Sequence, residues 1–169
     1  MIVALIVCSD LTAFAQERIF HPEWLANPKL DRDQKAVATE LGVMRGVQVP
    51  AELKDDYEYL ISPLQNSVVG SGGCGFAGTT PNGKKALDAL MQAHRVDLVE
   101  NVLRGFNPGG RVYAALALLR LKSSGLPLSA ETQTTIKKIS DLDIKIGTCS
   151  GCLFFHRTAK EILESPDQP

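Results

Sequence analysis

The chain carries almost no charge imbalance: 18 Lys and Arg stand against 19 Asp and Glu, a formal net charge of −1 over 169 residues. A nucleic-acid binder ordinarily gathers a basic excess on one face. Here Lys84-Lys85 and Lys137-Lys138 are isolated pairs that read as solvated helix faces. Neither nucleic acid nor an anionic membrane surface is an expected partner. Long apolar runs are missing too, since nothing approaches the ~20 residues needed to span a bilayer. Histidine is scarce, at His21, His94 and His156, and no G-x-S-x-G is present. Asp55-Asp56 and the pair Asp141 and Asp143 read as exposed acids near helix ends. A Cys–His pair, Cys74 with His94 or Cys152 with His156, is conceivable, but sequence alone brings no such pair into contact. Aromatics make up 6% of the chain, and the single tryptophan, Trp24, sits between Pro22 and Pro28 as an expected lid on the core. No catalytic constellation emerges, and the reading leans away from an enzyme.

What is present begins at the N-terminus. An apolar run, Ile2 to Val7, leads to Ala13-Phe14-Ala15, the small-x-small pattern of a signal-peptidase site. Residues 1–15 are read as a signal peptide, although no base precedes Arg18 and Asp10 interrupts the approach to the cut. Val7, which is not small, argues against a lipid anchor on Cys8. Cleavage removes 15 of 169 residues and one acid, leaving 154 residues with 18 bases and 18 acids. That length suits one domain with its own core. The expected location is periplasmic or extracellular, an oxidising setting that makes Cys74, Cys149 and Cys152 disulfide candidates.

Residues 16–165 are read as a single helical domain and 166–169 as a disordered tail. A leading segment holds one helix, Asp31 to Leu41, ended by Gly42. Pro50 opens a second helix, whose Leu53, Tyr57, Leu60 and Ile61 follow the i, i+4, i+7, i+8 spacing of one buried face. Pro63 ends it. A glycine-rich stretch follows, with five glycines between Gly70 and Gly78. Its Val68, Val69, Cys74 and Phe76 argue against disorder. Thr80-Pro81 and Asn107-Pro108 each read as N-cap plus first-turn proline. The first starts a helix burying Leu87, Leu90 and Met91; the second starts one from Pro108 to about Lys122. Between them, a short helix carries Val96, Val99, Val102 and Leu103. Ser129 caps a helix bearing Ile136 and Ile139. The period then changes to two across Ile144, Ile146 and Thr148, which predicts a hairpin turning at Ser150-Gly151. Thr158 to Leu163 form a last short helix.

Three motifs carry chemical interest by their letters. Gly70-x-Gly72-x-x-Gly75 lacks the flanking strand, helix and βαβ unit of a dinucleotide site. Gly78-x-x-x-x-Gly83-Lys84-Lys85 has Lys85 where a P-loop needs a hydroxyl for magnesium, and Pro81 removes a backbone donor. No cofactor is therefore expected. Cys149-x-x-Cys152 is the third. A redox use would require a lowered thiol pKa, and thioredoxin-like folds place the motif early, whereas here it lies late. Haem attachment needs His after the second Cys, where Leu153 stands. A zinc site from Cys74, Cys149, Cys152 and His156 has no support from spacing, so no metal is expected. The remaining use is a structural disulfide. Either Cys149 and Cys152 close a small loop, or Cys74 staples the glycine stretch to the C-terminal hairpin; the second is preferred because it explains two unusual regions together.

Gly75-Phe76-Ala77-Gly78-Thr79-Thr80, Pro108-Gly109-Gly110-Arg111-Val112-Tyr113-Ala114-Ala115-Leu116 and Ser150-Gly151-Cys152 form a succession that resembles a group of bacterial exported proteins of unassigned function. The helix pairs between Pro81 and Lys122 are similar to HEAT-type repeats. The resemblance covers roughly residues 68–163. It implies a helical, HEAT-like fold and no activity, although no unit of ~40 residues recurs three times as in a true array. The expectation is a mainly α, single compact domain of HEAT-like antiparallel helices with a small C-terminal β-hairpin. Its expected role is a non-enzymatic structural or protein-interaction one in the periplasm or cell envelope, with a thiol-disulfide redox protein using Cys149-x-x-Cys152 as the alternative.

Overall fold

A computed structural model describes residues 40–42, 44–65, 67–70 and 72–165. The expected signal peptide, Trp24, His21, the tail and most of the helix from Asp31 lie outside the described residues; Glu40 and Leu41 are helical. The protein is mainly helical, with a two-stranded antiparallel sheet near its C-terminal end. A 3-10 turn, Ala51–Leu53, leads into α1, Lys54–Ile61. Then come α2 (Asn82–Gln92), α3 (Val96–Val102), α4 (Pro108–Ser123) and α5 (Ala130–Asp141). Strands β1 (Lys145–Ser150) and β2 (Leu153–Thr158) form the hairpin, and α6 (Ala159–Glu164) follows directly.

Helix starts follow their side chains. Asn107 accepts a bond from the Gly110 amide at 3.2 Å, with Pro108 at the first helical position. Ser129 accepts from the Thr132 amide at 3.0 Å. Thr158 and Glu161 form a reciprocal capping box at the start of α6. The start of α2 differs from expectation. Pro81 itself is the N-cap, at φ −55° and ψ 141°, so the helix begins one residue later and Thr80 does not cap it. Pro50 behaves alike, at ψ 144°, ahead of the 3-10 turn. In both cases the proline's fixed φ is shared by helix and extended chain, and ψ takes the extended value.

Among the described residues the core draws on every helix. Tyr57, Leu60 and Ile61 from α1 meet Leu87 and Leu90 from α2, Leu98 and Val102 from α3, and Val112, Ala115 and Leu118 from α4; Ile136, Ile139, Ile146 and Ile162 complete it. Helix α4 is the central element, buried around most of its circumference at its N-terminal half. Its Gly109 and Gly110 let it touch the end of α1: a Cβ on Gly110 would collide with the Leu60 carbonyl oxygen, and one on Gly109 with the Ser67 backbone. Asn101 bonds the buried Tyr57 hydroxyl at 2.7 Å and exchanges two bonds with the Arg45 backbone, tying the segment before α1 to α3. Burial pushes the Tyr57 phenol upward, so it stays a neutral donor and acceptor.

Candidate functional site

The glycine stretch becomes a clamped loop. Cys74 and Thr79 pair their backbones (2.8 and 3.1 Å) around a tight turn at Gly75–Gly78. The Gly75 amide then donates to the Gly151 carbonyl in the hairpin turn at 2.8 Å. Upstream, Val69 adds a short parallel bridge to β1, donating to Gly147 at 2.8 Å and accepting from the Cys149 amide at 3.0 Å. A disulfide joins Cys74 to Cys149 across 75 positions of sequence, with Cα atoms 5.7 Å apart. Gly70 packs on this bridge: a Cβ there would lie 2.6 Å from the Cys149 sulfur. Glycine is needed at this point because two chain segments and a disulfide converge on it.

The structure thus brings Cys74 and Cys149 together, and leaves Cys152 a free, exposed thiol in the hairpin turn. The turn is the two-residue connection Gly151-Cys152, with Ser150 opposite Leu153. His156 is exposed on β2 opposite Gly147, and His94 is exposed at the end of α2. Gly83 lies under the Tyr113 ring and Lys84 pairs with Asp88 at 2.6 Å, so the P-loop-like letters split between the turn at Gly78 and the first turn of α2 and form no phosphate loop. Among the described residues, no three His, Cys, Asp or Glu side chains come together to hold a metal ion. Among the same residues, no helix is long and apolar enough to cross a membrane.

A cleft of about 280 Å³ opens between α2, α4 and the hairpin. Helix α2 contributes Lys84, Leu87, Asp88 and Met91, at i, i+3, i+4 and i+7. Helix α4 contributes Tyr113, Leu116, Ala117, Arg120 and Leu121, again a single helical stripe, and its C-cap Ser124 adds to the rim. Val69 and Gly70, Thr148 to Ser150, Phe155, Arg157 and Ile162 close the other side. The wall at Val69 and Gly70 is held from below. The Tyr113 hydroxyl accepts from the Gly70 amide at 2.9 Å and donates to the Val68 carbonyl at 3.0 Å. Burial pushes this phenol up to about 12, so it keeps its proton across the physiological range. The apolar stripes were legible in the sequence, but as core. That Met91, Leu116 and Leu121 line an opening follows from where the hairpin lands, which no periodicity reports.

Two groups carry no sequence signal. Arg111 is 1% exposed; its Nε donates to the Gly105 carbonyl at 2.5 Å, and both terminal nitrogens lack a hydrogen-bond partner. Burial drives its pKa down to about 9. Phe76, Leu153 and Phe154 are exposed large apolar residues on the clamped loop and the hairpin. Among the described residues, no strand pairs with the outer edge of β2.

No protein-family model matches this chain, and neither a curated protein nor a solved structure does.

Proposed function

We propose that this chain is an exported, non-enzymatic binding domain that receives a protein partner at its clamped loop and hairpin. The observation that carries the reading is the Cys74–Cys149 bridge. Disulfides persist in oxidising compartments, and this one fixes a loop whose tip exposes Phe76 beside a hairpin exposing Leu153 and Phe154. The occupant is an extended, apolar segment of a partner protein, added along the outer edge of β2. Among the described residues no strand pairs with this edge; its backbone groups supply hydrogen bonds and the exposed apolar side chains supply contact. The domain is taken as one unit over residues 16–165, with the helices between Pro81 and Lys122 packed in HEAT-like pairs; the core shared by the described helices supports that grouping.

The test is export followed by site-specific photo-cross-linking in the producing cell. The reading expects a mature N-terminus at Gln16. It also expects one discrete adduct from a cross-linker at Phe154 or Phe76 that is absent from a cross-linker at Lys137. Retention in the cytoplasm with free thiols at Cys74 and Cys149, or identical cross-linking from both faces, would contradict it.

A second reading is favoured by the exposed Cys152 thiol, three positions from Cys149. Its thiolate attacks the Cys149 sulfur, forms Cys149–Cys152 and releases Cys74 as a thiolate, with no net oxidation. Redox titration separates the two readings. A structural bridge holds below about −300 mV, whereas a cycling pair titrates nearer −200 mV.

A further inference from the structure

The cleft between α2, α4 and the hairpin is a binding site of a different kind, independent of the partner surface above. We propose that it takes a small amphipathic carboxylate, with its alkyl or aryl body on the apolar floor and its carboxylate at Arg120.

Shape supports a ligand of this class first. The floor is built from Leu87, Met91, Leu116 and Leu121, and the cleft measures about 280 Å³. That is at the small end of ligand pockets, which run from ~300 Å³ upward. A single small molecule fits such a space better than a polymer does.

Charge selects the sign. The lining holds three cations, Lys84, Arg120 and Arg157, against one carboxylate, Asp88. Lys84 spends its charge on Asp88, both carboxylate oxygens lying 2.6 Å from its nitrogen. Arg120 is exposed, and among the described residues it makes no ion pair. A guanidinium at the mouth of an apolar cleft matches a carboxylate bidentately, while a cationic amphiphile would meet like charge.

The lining has no histidine, and its one cysteine sulfur is already in a disulfide. The walls are also fixed before any ligand arrives. Tyr113 anchors the Val69–Gly70 segment, and the bridge anchors Cys149 beside it. A preformed cleft loses less ordering entropy on binding.

The test is a titration of the oxidised, isotope-labelled chain with sodium octanoate, followed by NMR. The expected result is saturable one-to-one binding, with shifts gathered on Met91, Leu116, Leu121 and Thr148. Octan-1-ol and octyltrimethylammonium should bind at least about ten-fold more weakly, and Arg120→Gln should lose about ten-fold in affinity for octanoate while leaving the spectrum otherwise unchanged. Any of four results would overturn the proposal: no saturable shift, shifts on another face, equal affinity for the cationic amphiphile, or an unaltered affinity in Arg120→Gln. A leucine-terminated hexapeptide binding more tightly than octanoate would also overturn it, in favour of a protein C-terminus.

Discussion

Arg111 is the residue least at ease in this molecule. Its guanidinium is desolvated, with one backbone carbonyl as partner and two nitrogens left over. Burying such a charge costs more than one hydrogen bond returns. Replacing it with an apolar side chain of similar length should therefore stabilise: Arg111→Met is expected to raise the unfolding free energy by about 1–3 kcal/mol at neutral pH. The pH dependence gives the sign. The folded pKa lies near 9, below the ordinary arginine value. Between those two values the unfolded chain binds more protons than the folded one, so this group's contribution to stability rises with pH. Below pH 9 the full penalty remains. The advantage of Arg111→Met should thus be constant from pH 6 to 8 and shrink as pH climbs past 9, measured by urea unfolding of both proteins at each pH. Nothing in the run Gly109-Gly110-Arg111-Val112 announces this from sequence, because the arginine follows two glycines and begins an apolar stripe. Its burial is a consequence of how closely those glycines let α4 approach α1.

At the level of elements, the ends of α2 and α4 are built alike. After α4, the Gly125 amide bonds Lys122 and the Leu126 amide bonds Leu121, both at 3.0 Å, with Gly125 at φ 98°. After α2, the His94 amide bonds Met91 at 3.1 Å and the Arg95 amide bonds Leu90 at 3.0 Å. Both are Schellman ends, but the second puts a histidine at φ 56°, in the left-handed region that favours glycine. An exposed non-glycine residue there costs about 1 kcal/mol. His94→Gly is accordingly expected to raise stability by about that amount in thermal or chemical unfolding, and a loss of stability would count against the motif. Sequence reading carried α4 to about Lys122, next to its observed end at Ser123, and Gly125 just beyond is the usual sign of such an end. The end of α2 was legible only as the gap before Val96, since histidine hides the same geometry. The caps at Asn107 and Ser129 were legible because side-chain chemistry dictates them. Those at Pro50 and Pro81 misled by one turn or one residue because proline's φ does not distinguish helix from extended chain. The hairpin was legible from the change of period at Ile144, Ile146 and Thr148, and its two-residue turn centres on Gly151-Cys152, one position beyond Ser150-Gly151.

Across the whole molecule, one covalent link joins regions that the backbone keeps far apart. The Cys74–Cys149 bridge encloses 75 positions of chain, spanning α2 to α5. In the chain-entropy account a loop of that size is worth about 4 kcal/mol, comparable to a sizeable share of a domain's net stability. The two unusual regions of the sequence, the glycine stretch and the C-terminal cysteine pair, meet here, which is why composition singled them out and why neither resolved alone. The cleft was not legible, because it exists only between elements: α2 and α4 supply stripes that periodicity assigns to a core, and the clamped hairpin keeps them partly open. The most direct measurement is a peptide map of the protein isolated without reductant, with free thiols alkylated before digestion. A Cys74–Cys149 linked peptide, Cys152 alkylated in full, and a loss of about 4 kcal/mol in stability when the bridge is reduced are expected. A Cys149–Cys152 linked peptide with Cys74 alkylated, or alkylation of Cys74, Cys149 and Cys152 together, would rule it out.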